Sequence, residues 1–116
     1  LDNKKTLILD ARNESRFLGK IKEKNINLKS GHIPGSKNLF WKDLITKNGT
    51  FKSKNKIIKL FKEKKIKNKK IITTCGSGIT ACILSISLFN FLDIKSSVYD
   101  GSWTEWGQKK GLPIEK

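Results

Sequence analysis

The sequence predicts an α/β domain built on a mainly parallel sheet with helices on both faces. Three observations lead there. Short apolar runs at 5–10 and 70–74 read as buried strands, segments at 54–65 and 79–92 read as helices, and a further run at 97–99 completes an alternation of strand and helix. In such a sheet ligands bind at the carboxyl ends of the strands, so those ends are where chemistry is to be sought.

The run at 5–10 is short, branched at Ile8 and bounded by polar residues, and it ends in Asp10. Residues 11–35 hold no sustained period but contain Gly19, Gly31, Pro34 and Gly35, which predicts a long loop with one short helical turn. A loop of that length in a small domain is either functional or disordered. A short strand is expected at 38–40 and a short helix at 41–46. At 54–65, Ile57, Ile58, Leu60 and Phe61 fall at helical spacing among lysines, the pattern of an amphipathic surface helix. The segment at 79–92 is a strongly apolar helix. Beyond the lysine bias there is no repeat, linker or low-complexity tract.

A chain of 116 residues with 36% hydrophobic residues suits one domain with a modest core. The net charge of +15 raises nucleic acid as a partner, but nearly all of it is lysine, Arg12 and Arg16 being the only arginines. No aromatic residues interleave with the basic ones and no groove-reading helix accompanies them, so the charge reads as a solvated surface able to attract an acidic protein, with no nucleic-acid partner. No apolar stretch approaches the roughly 20 residues that cross a bilayer, and no secretory signal is present; a soluble domain with no membrane partner is expected. The chain has no Met and starts almost directly on a strand, which leads to the expectation that an N-terminal partner domain precedes it.

Two cysteines, Cys75 and Cys82, and one histidine, His32, are too few for a structural zinc site and do not form a disulfide framework. No metal is expected, and free thiols point to a reducing compartment, the cytoplasm. Cys82 lies within the apolar helix beside Ala81 and Ile83 and reads as a small core residue.

The segment that carries chemistry runs from Ile71 to Cys82: a strand, then Cys75, then the small-residue loop Gly76-Ser77-Gly78 opening through Ile79 and Thr80 onto a helix. Glycines let such a loop curl with its N–H groups inward, and the positive end of the helix dipole lies behind it. Both favour an anion, so Cys75 is expected to be a thiolate nucleophile with a depressed pKa, held where a persulfide anion would also fit.

Cys75-Gly76-Ser77-Gly78-Ile79-Thr80-Ala81-Cys82 resembles the active-site loop of the 3-mercaptopyruvate sulfurtransferases of the rhodanese superfamily; thiosulfate-using rhodaneses carry basic residues directly after the cysteine. Three more segments match in order: Asp10-Ala11-Arg12 with Arg16-Phe17, then Ser30 to Ser36, then Tyr99 to Gly107. The resemblance implies a rhodanese-like fold of about five strands, no cofactor, and a ping-pong reaction. In it Cys75 takes sulfur from 3-mercaptopyruvate or thiosulfate and passes it to thioredoxin, another thiol or cyanide.

The resemblance also implies that this is the C-terminal catalytic half of a two-domain enzyme. It makes Arg16 the holder of the substrate carboxylate, Gly76, Gly78, Ile79 and Thr80 the substrate-binding loop, and Ser77 part of a proton relay. A second family arginine is replaced here by Asn25, with Lys22 or Lys24 as substitutes. Asp10 is expected to orient its loop by hydrogen bonds, Trp103 to line the pocket, Trp106 to be core, and His32 to fix the turn at 31–35 rather than act as a base. A cysteine phosphatase of the same fold would need an arginine at the end of the loop, where Thr80 and Ala81 stand. The remaining alternative is a non-catalytic rhodanese-like interaction module, which the intact cysteine loop disfavours.

Overall fold

Two five-residue strands, β1 (Thr6–Asp10) and β3 (Lys70–Thr74), pair in parallel along their whole length, Thr6 opposite Lys70 and Asp10 opposite Thr74. They form the centre of the sheet in a computed structural model that describes residues 5–24, 27–76 and 79–116. Between them lie α1 (Glu14–Phe17), β2 (Lys37–Asn38), a 3₁₀ turn (Trp41–Leu44) and α2 (Lys54–Lys62). After β3 come α3 (Ala81–Leu92), β4 (Ser97–Val98) and α4 (Ser102–Trp106). Strand order is β2-β1-β3-β4, and every pairing is parallel.

The parallel sheet with helices is the predicted architecture. Four strands stand among the described residues where the family pattern implied about five: both edge strands last two residues, and β4 gives way at once to the turn that starts α4. Alternation along β1 and β3 sorts side chains to two faces. Leu7, Leu9 and Ile71 join Leu44, Ile57, Phe61, Leu84 and Leu88 in the larger core, under α2 and α3. Ile8 packs on the other face with Ile33 and Trp103, flanked by Ile72, Tyr99, Trp106 and Ile114. Each fully buried Leu or Ile contributes about 1.5–3 kcal/mol, so this sorting fixes the register of the sheet.

The helices are shorter than the patterns suggested. Ser53 caps α2 by accepting from the amide of Lys56, and the helix ends at Lys62 because Lys65 turns to a φ of 58°. The expected helix at 79–92 begins at Ala81 and is closed by Asp93 in the left-handed region, with Ile94 N–H returning to the Leu88 carbonyl. Ala81, Leu84, Ser87 and Leu88 are its buried face, whereas Cys82 is exposed and not core as expected. One face of a helix apolar all round is left to solvent here, which is why an apolar neighbourhood did not imply burial.

His32 holds the loop expected at 11–35 to the end of the chain. Its Nδ1 is 2.6 Å from the Phe17 carbonyl, its Nε2 is 3.0 Å from Glu115 Oε1, and its ring stacks on Phe17 at 3.7 Å. Its backbone exchanges two hydrogen bonds with Glu115. Gly31 beside it has φ +124°, and a β-carbon there would lie 2.5 Å from the Glu115 carbonyl oxygen, so only glycine allows this close approach.

Candidate active site

Cys75 follows β3 directly, at the carboxyl end of a central strand. Its residue is buried, 1% exposed, and it belongs to the larger core. The backbone around it is clamped from α4: Cys75 N–H donates to Ser102 Oγ at 3.0 Å, Trp103 N–H donates to the Cys75 carbonyl at 2.8 Å, and Thr104 donates to the Gly76 carbonyl from both its amide and its hydroxyl. Ala11 N–H donates to the Thr74 carbonyl on the other side. The strand ends are thereby locked, and the loop leaves them with a defined direction.

Ser102 itself is buried, its hydroxyl donating to the Tyr99 carbonyl at 2.7 Å, and its φ of 48° is unusual for a residue other than glycine. The turn is also pinned by Tyr99, whose hydroxyl donates to Glu105 Oε1 at 2.8 Å. Burial, and next the bond to Glu105, push the phenol up to about 12. Glu105 is correspondingly held below the usual carboxylate range, first by the Tyr99 hydroxyl and then by Lys109.

Arg16 reaches the loop from α1. Asn13 caps that single turn, its Oδ1 accepting from the Arg16 amide at 2.8 Å. The guanidinium lies over Gly76, such that a β-carbon on Gly76 would meet Arg16 Nη2 at 3.2 Å and Nη1 at 3.4 Å. It also donates to Glu23, with Nη2 3.0 Å from Oε1 and Nε 3.4 Å from Oε2. The Glu23 side chain is only 5% exposed, that of Arg16 35%.

A cavity of about 340 Å³ opens between these elements, lined by Arg12, Asn13, Arg16, Phe40, Trp41, Lys42, Gly76 and Thr80. Arg16, Gly76 and Thr80, all expected in the substrate site, are therefore brought together. Ile79 is 76% exposed and is not among the lining residues. Ser77, Gly78 and Asn25 lie outside the described residues. Lys22 and Lys24 line a different hollow, of about 460 Å³, on which Arg16 also borders.

Asp10 does form hydrogen bonds, but its carboxylate is spent on Arg12. It accepts from the Arg12 amide at 3.0 Å, from Nε at 3.1 Å and from Nη2 at 2.8 Å, both side chains being buried. Arg12 Nη2 also reaches the Gly31 carbonyl at 2.7 Å, and its guanidinium stacks 4.8 Å from the Trp103 ring centre. Trp103, expected in the pocket, is 1% exposed in the smaller core, its indole N–H donating to the Lys29 carbonyl. It supports the Cys75 loop from behind. Trp106, expected in the core, is only partly buried and donates to the Pro113 carbonyl.

Sequence reasoning passed over Ser102, Glu23 and the pair Trp41–Lys42 as site residues. For Ser102 a signal was there, since it stands in the Tyr99 to Gly107 segment that matches the family. Nothing in the spacing of Glu23 marked it as a partner of Arg16.

The rhodanese-like domain model matches residues 1–109 of the chain. Mouse 3-mercaptopyruvate sulfurtransferase is 42% identical over 107 residues, covering 91% of this chain and 36% of the relative. The enzyme of the same name from Escherichia coli K12 is 37% identical over 110 residues, 93% of this chain and 38% of its own length. The sulfur transferase subunit associated with yeast mitochondrial complex I superposes with a TM-score of 0.81 at 40% identity, over 97% of this chain and 39% of that one. The chain thus spans less than two fifths of the length of each. The family-model match over nearly the whole chain, the parallel sheet and the cysteine at the end of its central strand together place this chain in the rhodanese-like domain family.

Proposed function

We propose that this chain is a sulfurtransferase domain that carries sulfur as a persulfide on Cys75, taking it from 3-mercaptopyruvate or thiosulfate and giving it to a thiol such as thioredoxin, or to cyanide. The observation that carries the reading is the placement of Arg16 over Gly76, beside a cysteine that ends a central strand. A guanidinium fork suits a planar carboxylate, and its position next to Cys75 would set a bound donor's sulfur toward the thiolate.

In the first half-reaction the Cys75 thiolate attacks the sulfur of 3-mercaptopyruvate. The new S–S bond forms as the donor's C–S bond breaks, and the carbon leaving with the electron pair takes the thiol proton, giving pyruvate and a Cys75 persulfide anion. In the second, an acceptor thiolate attacks the outer sulfur and regenerates the Cys75 thiolate. Loop amides stabilise the anion in both states. Ser77, in the same loop, relays the proton to the leaving carbon.

Relatives nearly three times the length of the matched region support reading the chain as the C-terminal half of a two-domain enzyme, with an N-terminal rhodanese-like partner domain. Two cysteines without a disulfide, Cys75 and Cys82, support a reducing, cytoplasmic location.

The test is intact-protein mass spectrometry of wild type and Cys75→Ser after incubation with 3-mercaptopyruvate and, separately, thiosulfate. Gain of one sulfur by wild type alone supports the proposal. No gain from either donor, together with retained binding of a protein partner, would make the chain an interaction module.

A further inference from the structure

We infer that Lys42 is the donor-binding cation of the cavity beside Cys75, the group that receives the anionic oxygens of the sulfur donor; this rests on the sulfur-transfer reading above. Three cationic side chains line that cavity, Arg12, Arg16 and Lys42. Two of them already face a carboxylate. Arg12 is locked to Asp10 by side-chain bonds of 2.8 and 3.1 Å, and Arg16 is paired with the nearly buried Glu23 at 3.0 Å. No Asp or Glu is among the lining residues, and among the described residues Lys42 makes no ion pair. Lys42 is therefore what gives the cavity its net positive charge.

Its position is supported by the sheet. Trp41 N–H donates to the Ala11 carbonyl at 3.1 Å, just past the end of β1, which anchors the 3₁₀ turn to the same strand end that carries Arg12. The Lys42 ammonium then lies 5.5 Å from the centre of the Trp41 ring, a cation–π contact that holds it at the cavity wall without neutralising it. Lys22 and Lys24, the substitutes that the family pattern suggested, line the other hollow, away from Gly76 and Thr80.

An ammonium is a point charge and donates to a carboxylate or a sulfonate oxygen alike. Lys42 would thus serve both donors, with Arg16 supplying the oriented fork. Its contribution is to binding, so it should appear in the half-saturating donor concentration and not in the limiting rate.

The experiment separates this inference from the reading it rests on. In a Cys75→Ser background, where no sulfur can be transferred, calorimetric titration with 3-mercaptopyruvate and with thiosulfate measures affinity alone. Adding Lys42→Gln should weaken binding of both donors about tenfold, and Lys42→Arg should restore it to within about twofold. Unchanged affinity with Lys42→Gln, or a loss confined to Lys22→Gln or Lys24→Gln, overturns the inference. Sulfur loading is read separately with Cys75 intact: failure of the wild type to load would sink the sulfur-transfer reading, while the calorimetric comparison would still judge Lys42. Weaker binding of only one donor overturns the claim that Lys42 serves both.

Discussion

Arg16 and Gly76 approach so closely that a side chain would crowd the guanidinium: a β-carbon on Gly76 would sit 3.2 Å from Arg16 Nη2. The backbone at Gly76 is outside the left-handed region, so alanine there meets crowding without conformational strain. The crowded atom is the far end of a flexible side chain, which can give by a few tenths of an ångström.

Gly76→Ala should therefore fold normally and bind donor poorly. We expect a melting temperature within a few degrees of wild type and a half-saturating donor concentration raised about 5- to 10-fold, as a small displacement of a positioning group commonly produces. Donor-saturation curves of Cys75 sulfur loading beside a thermal melt check both. A large drop in melting temperature would show that the glycine is needed for folding instead.

Asp10 and Arg12 form a buried ion pair, and removing one partner strands the other. Asp10→Ala should cost about 3–5 kcal/mol, a large share of the roughly 5–15 kcal/mol that a small domain possesses. The double change Asp10→Leu with Arg12→Met should be milder than the single one, because no charge is left buried. Urea unfolding midpoints of the three proteins decide it.

Ser102 Oγ is the acceptor for the Cys75 amide, and Ser102 is itself fully buried. Ser102→Ala orphans that amide, at a cost of about 1–3 kcal/mol, and loosens the start of the nucleophile loop. The expected outcome is a slower limiting rate of sulfur loading with a smaller change in half-saturation, measured by quenched-flow mass spectrometry. Equal limiting rates would show that the bond serves stability alone.

Tyr99 is the single tyrosine of the chain, so its ionisation can be followed cleanly by ultraviolet absorbance. Its folded pKa is raised to about 12 from 10.0, which means the folded state holds the proton more tightly than the unfolded chain. This contribution to stability is complete below pH 10 and is lost as pH rises from 10 towards 12. A pH-jump titration of the folded protein should show a midpoint near 12, and Glu105→Gln should bring it part of the way down. A midpoint of 10 in the wild type would contradict the burial of the phenol as well as its bond to Glu105, and no change with Glu105→Gln would contradict the bond alone.

Strands were legible because burial on both faces demands an uninterrupted apolar run: 5–10 was observed as Thr6–Asp10, and 70–74 as expected. The edge strand expected at 38–40 lies at Lys37–Asn38, and the helix expected at 41–46 is a 3₁₀ turn over Trp41–Leu44, since pairing with β1 rather than local propensity sets both. α4 was not foreseen as a helix. Five residues are too few to show a period, and its start is made by Ser102 bonding to Tyr99 and Cys75. At the site, Arg16, Gly76 and Thr80 could be named from a local pattern. Trp103 is core where that pattern suggested pocket, Trp106 is only partly buried where it suggested core, and Lys42 had no expected role, because which tryptophan faces core and which residue reaches the cavity depends on contacts between segments far apart in sequence.

The clamp on the cysteine loop also orders events in time. Cys75 takes its backbone partners from residues 102–104, so a growing chain presents the thiol before it presents what secures it. β1 must likewise wait for β3, and such long-range parallel pairing is slow. During synthesis or refolding, Cys75 therefore passes through an interval on a loose loop, before residues 102–104 fix its backbone and set the direction of its thiol. Pulsed alkylation during refolding should therefore show the Cys75 labelling rate change, from that of an ordinary thiol to that of the positioned one, as tryptophan fluorescence reports that the segment holding Trp103 has docked.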